Sequence, residues 1–325
     1  MQPKLCAGGS VVPAIPCRED VYGACPQSCR GVPAVKEIVV LSGKGGVGRS
    51  TLTVSLGAVL AERNGVVLAD ANVAAPHLHL FTGVVQEEVV ESLAAKAVVD
   101  YDLCDHCMKC LEVCRFSAII GGEEPIIFNC FCTGCGACSL VCPVDAITVQ
   151  SVVNGRLNIL DTGWCRVVAG DLDIGESGSG RLVGAVRKRA RLEAEKRGAG
   201  FILIDGPPGT GSPAIASMKG ADYVILVTEP TPPALHDLQR IVDVVARYAI
   251  PAGIVLNRCG MPEAGTRQMP AGLRARNHDL LAEIPLDPLL PAALAEGRPA
   301  AEAFRAAPAS RAIRRLARTM ENRLL

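Results

Sequence analysis

The decapeptide from Ser42 to Thr51, SGKGGVGRST, constrains this chain more than any other stretch. An apolar run, Ile38-Val39-Val40-Leu41, precedes it, and Leu52, Leu56, Val59 and Leu60 follow at helical spacing. Strand, glycine loop and helix in that order are what a phosphate-binding loop needs. Glycines let the backbone wrap an anion, and successive N–H groups and the helix N-terminus then point at its oxygens. The general template is G-x-x-x-x-G-K-[ST]. Gly43 and Gly48 fit it, Ser50 takes the magnesium position, and Arg49 stands where the template has lysine. Nucleotide binding by Gly43, Lys44, Gly45, Gly46, Val47, Gly48, Arg49, Ser50 and Thr51 is the expectation.

Two other strands end in a carboxylate. Val66–Asp70 closes the first β-loop-α-β unit, and Phe201-Ile202-Leu203-Ile204-Asp205 runs into Gly206-Pro207-Pro208-Gly209-Thr210-Gly211. An Asp at the end of a buried strand beside a phosphate loop can hold a magnesium-bound water, so Asp205 joins Ser50 as a candidate magnesium ligand. Further apolar runs at Tyr223–Val227 and Gly253–Leu256, separated by helical segments, suit a mostly parallel sheet covered by helices on both faces. The fold class is therefore α/β.

Fifteen cysteines are far too many for an ordinary α/β chain, and nine of them lie between 104 and 142. Cys104, Cys107, Cys110 and Cys114 follow C-x-x-C-x-x-C-x-x-x-C; Cys132, Cys135, Cys138 and Cys142 repeat it, with Pro143 after the second run. Ala118-Ile119 recurs as Ala146-Ile147, so this is an internal duplication. Zinc knuckles would want histidines and would not explain a duplicated run of four. Two [4Fe–4S] clusters fit the spacing. Cys130 is outside the repeat. Cys6, Cys17, Cys25 and Cys29 lie among prolines and glycines, where they could hold a zinc ion or a third cluster, or be free thiols of a tail.

The loop with its early lysine, Lys44, resembles the deviant Walker A motif of the MinD/ParA/Mrp/NifH superfamily of P-loop ATPases. That resemblance implies that Lys44 reaches the phosphates of a partner subunit in an ATP-sandwich dimer. The segment DANVAAPHLHL matches the family's D-x-D-V-x-x-P-x-L-x-L at Asp70, Val73, Pro76, Leu78 and Leu80. Asn72 replaces the second Asp, which the family uses to orient the attacking water; an amide cannot accept that proton. DGPPGTG is similar to the family's γ-phosphate switch, Asn257 matches its adenine-binding position, and EIPLDPLL resembles its last strand and turn. The duplicated cysteines resemble the bacterial two-cluster ferredoxin, which implies crossed ligand sets: Cys104, Cys107 and Cys110 with Cys142, and Cys132, Cys135 and Cys138 with Cys114. The whole resembles a superfamily ATPase with an inserted ferredoxin: 1–35 a cysteine-bearing extension, 36–100 and 150–325 the nucleotide-binding domain, 101–149 the insert.

Composition sets the limits. Lys plus Arg equals Asp plus Glu at 33 each, and aromatics are 3%, which argues against a nucleic-acid surface. No run approaches a membrane span and the first residues lack a leader's apolar stretch, so the expected location is the cytoplasm. The basic stretch RLVGAVRKRARLEAEKR reads as a solvated helix face, and His77 and His79 as surface or packing residues. The last fifteen residues carry Ile313, Leu316, Ala317, Met320 and Leu324 on one face, a pattern read as packing rather than membrane binding.

The function expected is an ATP- and magnesium-binding iron–sulfur protein that couples nucleotide state to electron transfer or to delivery of a cluster or metal. Catalytic positions would be Lys44, Arg49, Asp70, Asn72 and Asp205, with turnover slowed or lost through Arg49 and Asn72. Its partners would be a second copy or a competent paralogue, and a redox or metal-cluster protein. The alternatives are a positioning ATPase with redox-sensing clusters, or a cluster-assembly scaffold.

Overall fold

The computed structural model describes residues 35–325 apart from 177–178 and 262–278. The four cysteines before residue 30 lie outside the described residues. In chain order the elements are β1 (Lys36–Ser42), α1 (Arg49–Ala61), β2 (Val66–Asp70), β3 (Gln86–Val99), α2 (Lys109–Val113), β4 (Ile119–Ile120), β5 (Ile126–Ile127), α3 (Ala137–Leu140) and β6 (Ile147–Asp161). There follow β7 (Arg166–Leu172), α4 (Ser179–Arg197), β8 (Phe201–Pro208), α5 (Ser212–Met218), β9 (Tyr223–Thr228), α6 (Pro232–Arg247), β10 (Ala252–Cys259) and β11 (Asp279–Pro285). Three helices end the chain: α7 (Leu289–Ala295), α8 (Ala300–Ala303) and α9 (Pro308–Leu324).

One sheet, ordered β11-β10-β9-β1-β8-β2-β7-β6-β3, organises these elements. From β11 to β7 every pairing is parallel; β6 and β3 are antiparallel additions at the far edge. Strand β1 is apolar at every central position because both faces are covered. Ile38 and Val40 enter the core beneath α1 and α9, whereas Val39 and Leu41 enter the core under α4, α5 and α6. The chain reverses at β1, which has β9 on one side and β8 on the other, so a crevice opens at its carboxyl end.

Helix α4 is more than a solvated charged face. Arg187 and Arg191 both grip the Glu37 carboxylate, which is 2% exposed at the start of β1, and Arg189 bridges Glu193 and Glu88. The apolar stripe of α9, from Ala309 through Ile313 and Leu316 to Met320, is buried in the protein's own core. No described helix is long and apolar enough to cross a membrane.

The cysteine-rich residues lie between β3 and β6, two long strands that pair from Gln86↔Asp161 to Val99↔Ile147. Only the inner half of β6, Gly155–Asp161, also pairs with β7; the outer half pairs with β3 alone and forms a two-stranded arm. The elbow is a bulge at Asn154, between Ser92↔Gly155 and Leu93↔Val153. Its buried side chain accepts the Ser92 hydroxyl proton at 3.0 Å, and its carbonyl accepts the Asp173 N–H at 3.1 Å. The sequence concealed this arm. Residues 87–91 are an exposed edge mixing Glu and Val, so they lack the alternation that a half-buried strand writes into a sequence.

Candidate functional site

The glycine loop joins β1 to α1 as expected. Gly48 caps the helix in the left-handed region at φ 96°, and a Cβ there would sit 2.3 Å from the Asn257 amide nitrogen. No other residue type meets both conditions. Asn257, at the end of β10, donates its amide to the Val47 carbonyl at 2.8 Å. It also lines an open cleft with Gly48, Thr51, Pro285, Asp287 and Leu290. A second open cleft is walled by Gly46 to Thr51, His77, Phe81 and Arg258.

Arg49 does not extend outward. Its side chain is 8% exposed, donates to the Ser42 hydroxyl at 2.9 Å and brings Nε to 3.6 Å from an Asp205 oxygen. Ser50 donates its hydroxyl to the other Asp205 oxygen. Lys44 is half exposed and paired with Glu229 at 3.3 Å, and Arg258 reaches the same carboxylate at 2.9 Å. Glu229, Arg258 and His77 are the members of this site that sequence reasoning missed. Glu229 and Arg258 belong to no motif, and His77 fills a variable position of the segment after Asp70; each comes from the end of a strand or the loop beyond it.

Asp70, the last residue of β2, is in direct register with Asp205 of the adjacent parallel strand β8, which runs on to Pro208. Asp70 is fully buried, and its carboxylate accepts the N–H groups of Asn72, His77 and Leu78 at 3.1, 2.7 and 3.0 Å. It thus clasps the loop that follows β2. Burial pushes its pKa up against those bonds. Burial, and then the charge of Asp70, push Asp205 up to about 7, offset by Arg49 and Ser50. One Asp205 oxygen is buried without a hydrogen-bond donor, a spare acceptor of the kind a metal-bound water uses. With Ser50 touching its other oxygen, the pair fits magnesium. Asn72 turns its amide to the Ala75 carbonyl at 2.9 Å, closing its own loop.

The duplicated cysteines fold as a duplicate. His106 and Gly134, Met108 and Gly136, Ser117 and Asp145 occupy equivalent places in the two runs, and all six have positive φ. Each run continues into a short helix, α2 or α3. After each, the N–H of Ala118 or Ala146 donates to the sulfur of Cys114 or Cys142, at 3.3 and 3.2 Å. Cys114, Cys132, Cys135 and Cys138 line one small pocket, floored by Ala97 and Ile119. That is one of the two crossed sets. Cys110 packs into the same small core, and its pKa is raised by burial and then by Cys104 and Cys107. Cys138 is raised likewise, by burial with contributions from Cys132 and Cys135. Among the described residues no three His, Cys, Asp or Glu side chains converge on a point that would hold a single ion. The four thiols instead surround a volume, and an N–H at a sulfur favours its charged form, so the donor set fits a multi-iron cluster.

Residues 38–300 match the family described as the CobQ/CobB/MinD/ParA nucleotide binding domain. The chain belongs to this family. It is 33% identical over 228 residues to the protein MJ0578 of Methanocaldococcus jannaschii, covering 70% of this chain and 79% of that one. It is 24% identical over 297 residues to an iron-sulfur cluster carrier protein of Pyrococcus horikoshii, covering 82% of each. In structure it is similar to the septum site-determining protein MinD of Pyrococcus horikoshii, complexed with Mg-ADP. That match has a TM-score of 0.53 at 22% identity and covers 88% of this chain and 96% of the other, a likeness of fold. The mostly parallel sheet flanked by helices is thus the MinD-like P-loop fold.

Proposed function

We propose that this protein binds ATP and magnesium at the glycine loop and couples nucleotide state to two [4Fe–4S] clusters, for electron transfer or for delivery of a cluster to a partner protein. The observation that carries the proposal is a continuous backbone path between the two sites. The Ala71 N–H donates to the Asp205 carbonyl at 2.9 Å, and the Leu172 N–H to the Val73 carbonyl at 2.9 Å. One residue on, Asp173 bonds the Asn154 carbonyl at the elbow of the arm that carries the cysteines. In this proposal these bonds carry movement of the 70–78 loop through β7 to the arm's hinge. The likeness to an iron-sulfur cluster carrier protein agrees with this reading.

In this proposal Gly43 to Thr51 wrap the phosphates, Ser50 and Asp205 hold magnesium, and Asn257 stands beside the base. Arg49 keeps a positive charge in the loop, but its planar fork does not replace a lysine ammonium there. Asn72 cannot take a proton from water. Turnover is then slow or absent. Lys44 leaves Glu229 to reach the nucleotide of a second copy or of a paralogue that supplies the missing groups. The crossed cysteine sets would each hold a cluster, which supplies one-electron storage when bound. Binding and hydrolysis of magnesium-ATP by anaerobically purified protein, with its iron counted, tests the proposal. Tight binding, little turnover and about eight irons per chain are expected; no nucleotide binding would overturn it.

A further inference from the structure

Among the described residues, one of the largest fully buried side chains is a lysine. Lys96, on the arm strand β3, is 1% exposed. Burying an ammonium costs several kcal/mol unless it is fully bonded, so its partners say what it is for. They include the Asn129 carbonyl at 2.6 Å, the Cys132 carbonyl at 3.0 Å and the Glu176 carboxylate at 2.8 Å. The next residue, Ala97, donates its N–H to the Cys132 sulfur at 3.4 Å. Consecutive residues of one strand thus hold both the main chain and the thiol of one cysteine.

The loop that carries Cys132 lies against this strand throughout. Gly134, at φ 65°, approaches so closely that a Cβ would sit 2.2 Å from the Ala95 carbonyl oxygen. Among the described residues no buried lysine or arginine belongs to the duplicate loop. Its own charges, Asp105 and Lys109, are exposed, where water screens them. Two chemically identical ligand sets therefore sit in different electrostatic surroundings, and a buried cation favours the more negative, reduced form of whatever it faces.

We propose that Lys96 is a positioning residue that raises the reduction potential of the cluster held by Cys114, Cys132, Cys135 and Cys138 above that of its twin, with Glu176 moderating the effect. The proposal rests on the reading that both cysteine sets hold clusters. The inner set, next to the nucleotide-binding domain, is then where an electron taken up at the outer set comes to rest. Glu176 follows β7 in the loop that also contains Asp173, so the carboxylate that moderates Lys96 belongs to the segment bonded to the elbow.

The test is a dithionite titration of the anaerobic full chain, followed by electron paramagnetic resonance, for wild type, Lys96→Met, Lys96→Arg and Glu176→Gln. Iron is counted on the wild type first; a wild type without about eight irons defeats the two-cluster reading itself. With clusters present, K96M lowers one midpoint by at least the tenfold shift in one-electron occupancy that corresponds to about 59 mV, and leaves the other unchanged. E176Q moves the same midpoint upward, and K96R keeps it near wild type. A merely structural lysine would make K96M and E176Q disturb the site in the same sense. Unchanged midpoints, equal shifts of both clusters, or shifts of the same sign in K96M and E176Q overturn the proposal. Should K96M lose iron, E176Q and K96R decide it.

Discussion

Asp70, at the end of β2, and Asp205, in the neighbouring strand β8, stand side by side, both fully buried, with Arg49 and Ser50 opposing the charge at Asp205. Two carboxylates so placed resist ionising together. The folded protein therefore holds a proton at Asp205 up to about pH 7, against an ordinary value of 3.8. Because the folded state binds this proton and the unfolded chain releases it, the stability that Asp205 contributes is complete below about pH 4 and is lost as pH rises to about 7. Magnesium needs the ionised form, so magnesium-dependent nucleotide affinity should rise over the same interval. Asp70→Asn removes the neighbouring charge and should move the midpoint of that rise to lower pH. A pH series of magnesium-ATP affinity in both proteins checks it; an unmoved midpoint contradicts the coupling.

Arg49 and Asn72 depart from the family pattern in different ways. Arg49 is folded onto Ser42 and Asp205, whereas Asn72 is folded onto its own loop. Arg49→Lys alone should restore little ATPase activity. Arg49→Lys with Asn72→Asp should restore at least about tenfold more, since a positioned general base contributes 10² to 10⁴. Steady-state hydrolysis decides it: equal rates for the two variants would mean that position 72 does not limit turnover.

Much of this site was legible in the sequence because its residues act through local backbone geometry. The glycine loop, the two aspartates and the duplicated cysteines are picked out by spacing alone; the fold brings the loop and both aspartates together and gives the two cysteine runs matching backbone conformations. Glu229, His77 and Arg258 were not legible, because they meet the loop only once β9, β10 and the 70–78 loop converge on it. The arm was missed for a different reason. A strand exposed along its edge carries no alternating pattern, and the Asn154 bulge leaves no local signature. Lys96 reads as an ordinary surface lysine until the cysteine loop closes over it.

The close approach at Gly134 gives a sharp structural test. Gly134→Ala would force a Cβ into the Ala95 carbonyl and strain a left-handed backbone. The inner cysteine set should lose its cluster while the nucleotide site stays intact. Iron content should fall from about eight to about four per chain with ATP affinity unchanged, as read by iron assay and calorimetry.

Glu37 is held by two arginines of α4 at the entry to the central strand, far from either site. Removing one partner of a buried ion network leaves the others uncompensated. Glu37→Ala should cost about 3 kcal/mol of unfolding free energy, seen as a lower denaturation midpoint, with nucleotide affinity per folded molecule unchanged.

The central claim is that nucleotide state reaches the clusters. It is tested most directly by measuring the two cluster midpoint potentials of the anaerobic protein with and without magnesium-ATP. Transmission from Asp205 through Val73, Leu172 and the Asn154 elbow predicts that nucleotide shifts the midpoint of the inner cluster, and that Gly48→Ala, which blocks the loop, abolishes the shift. Identical potentials with saturating nucleotide and without it, in protein shown to bind both ATP and iron, would contradict the account.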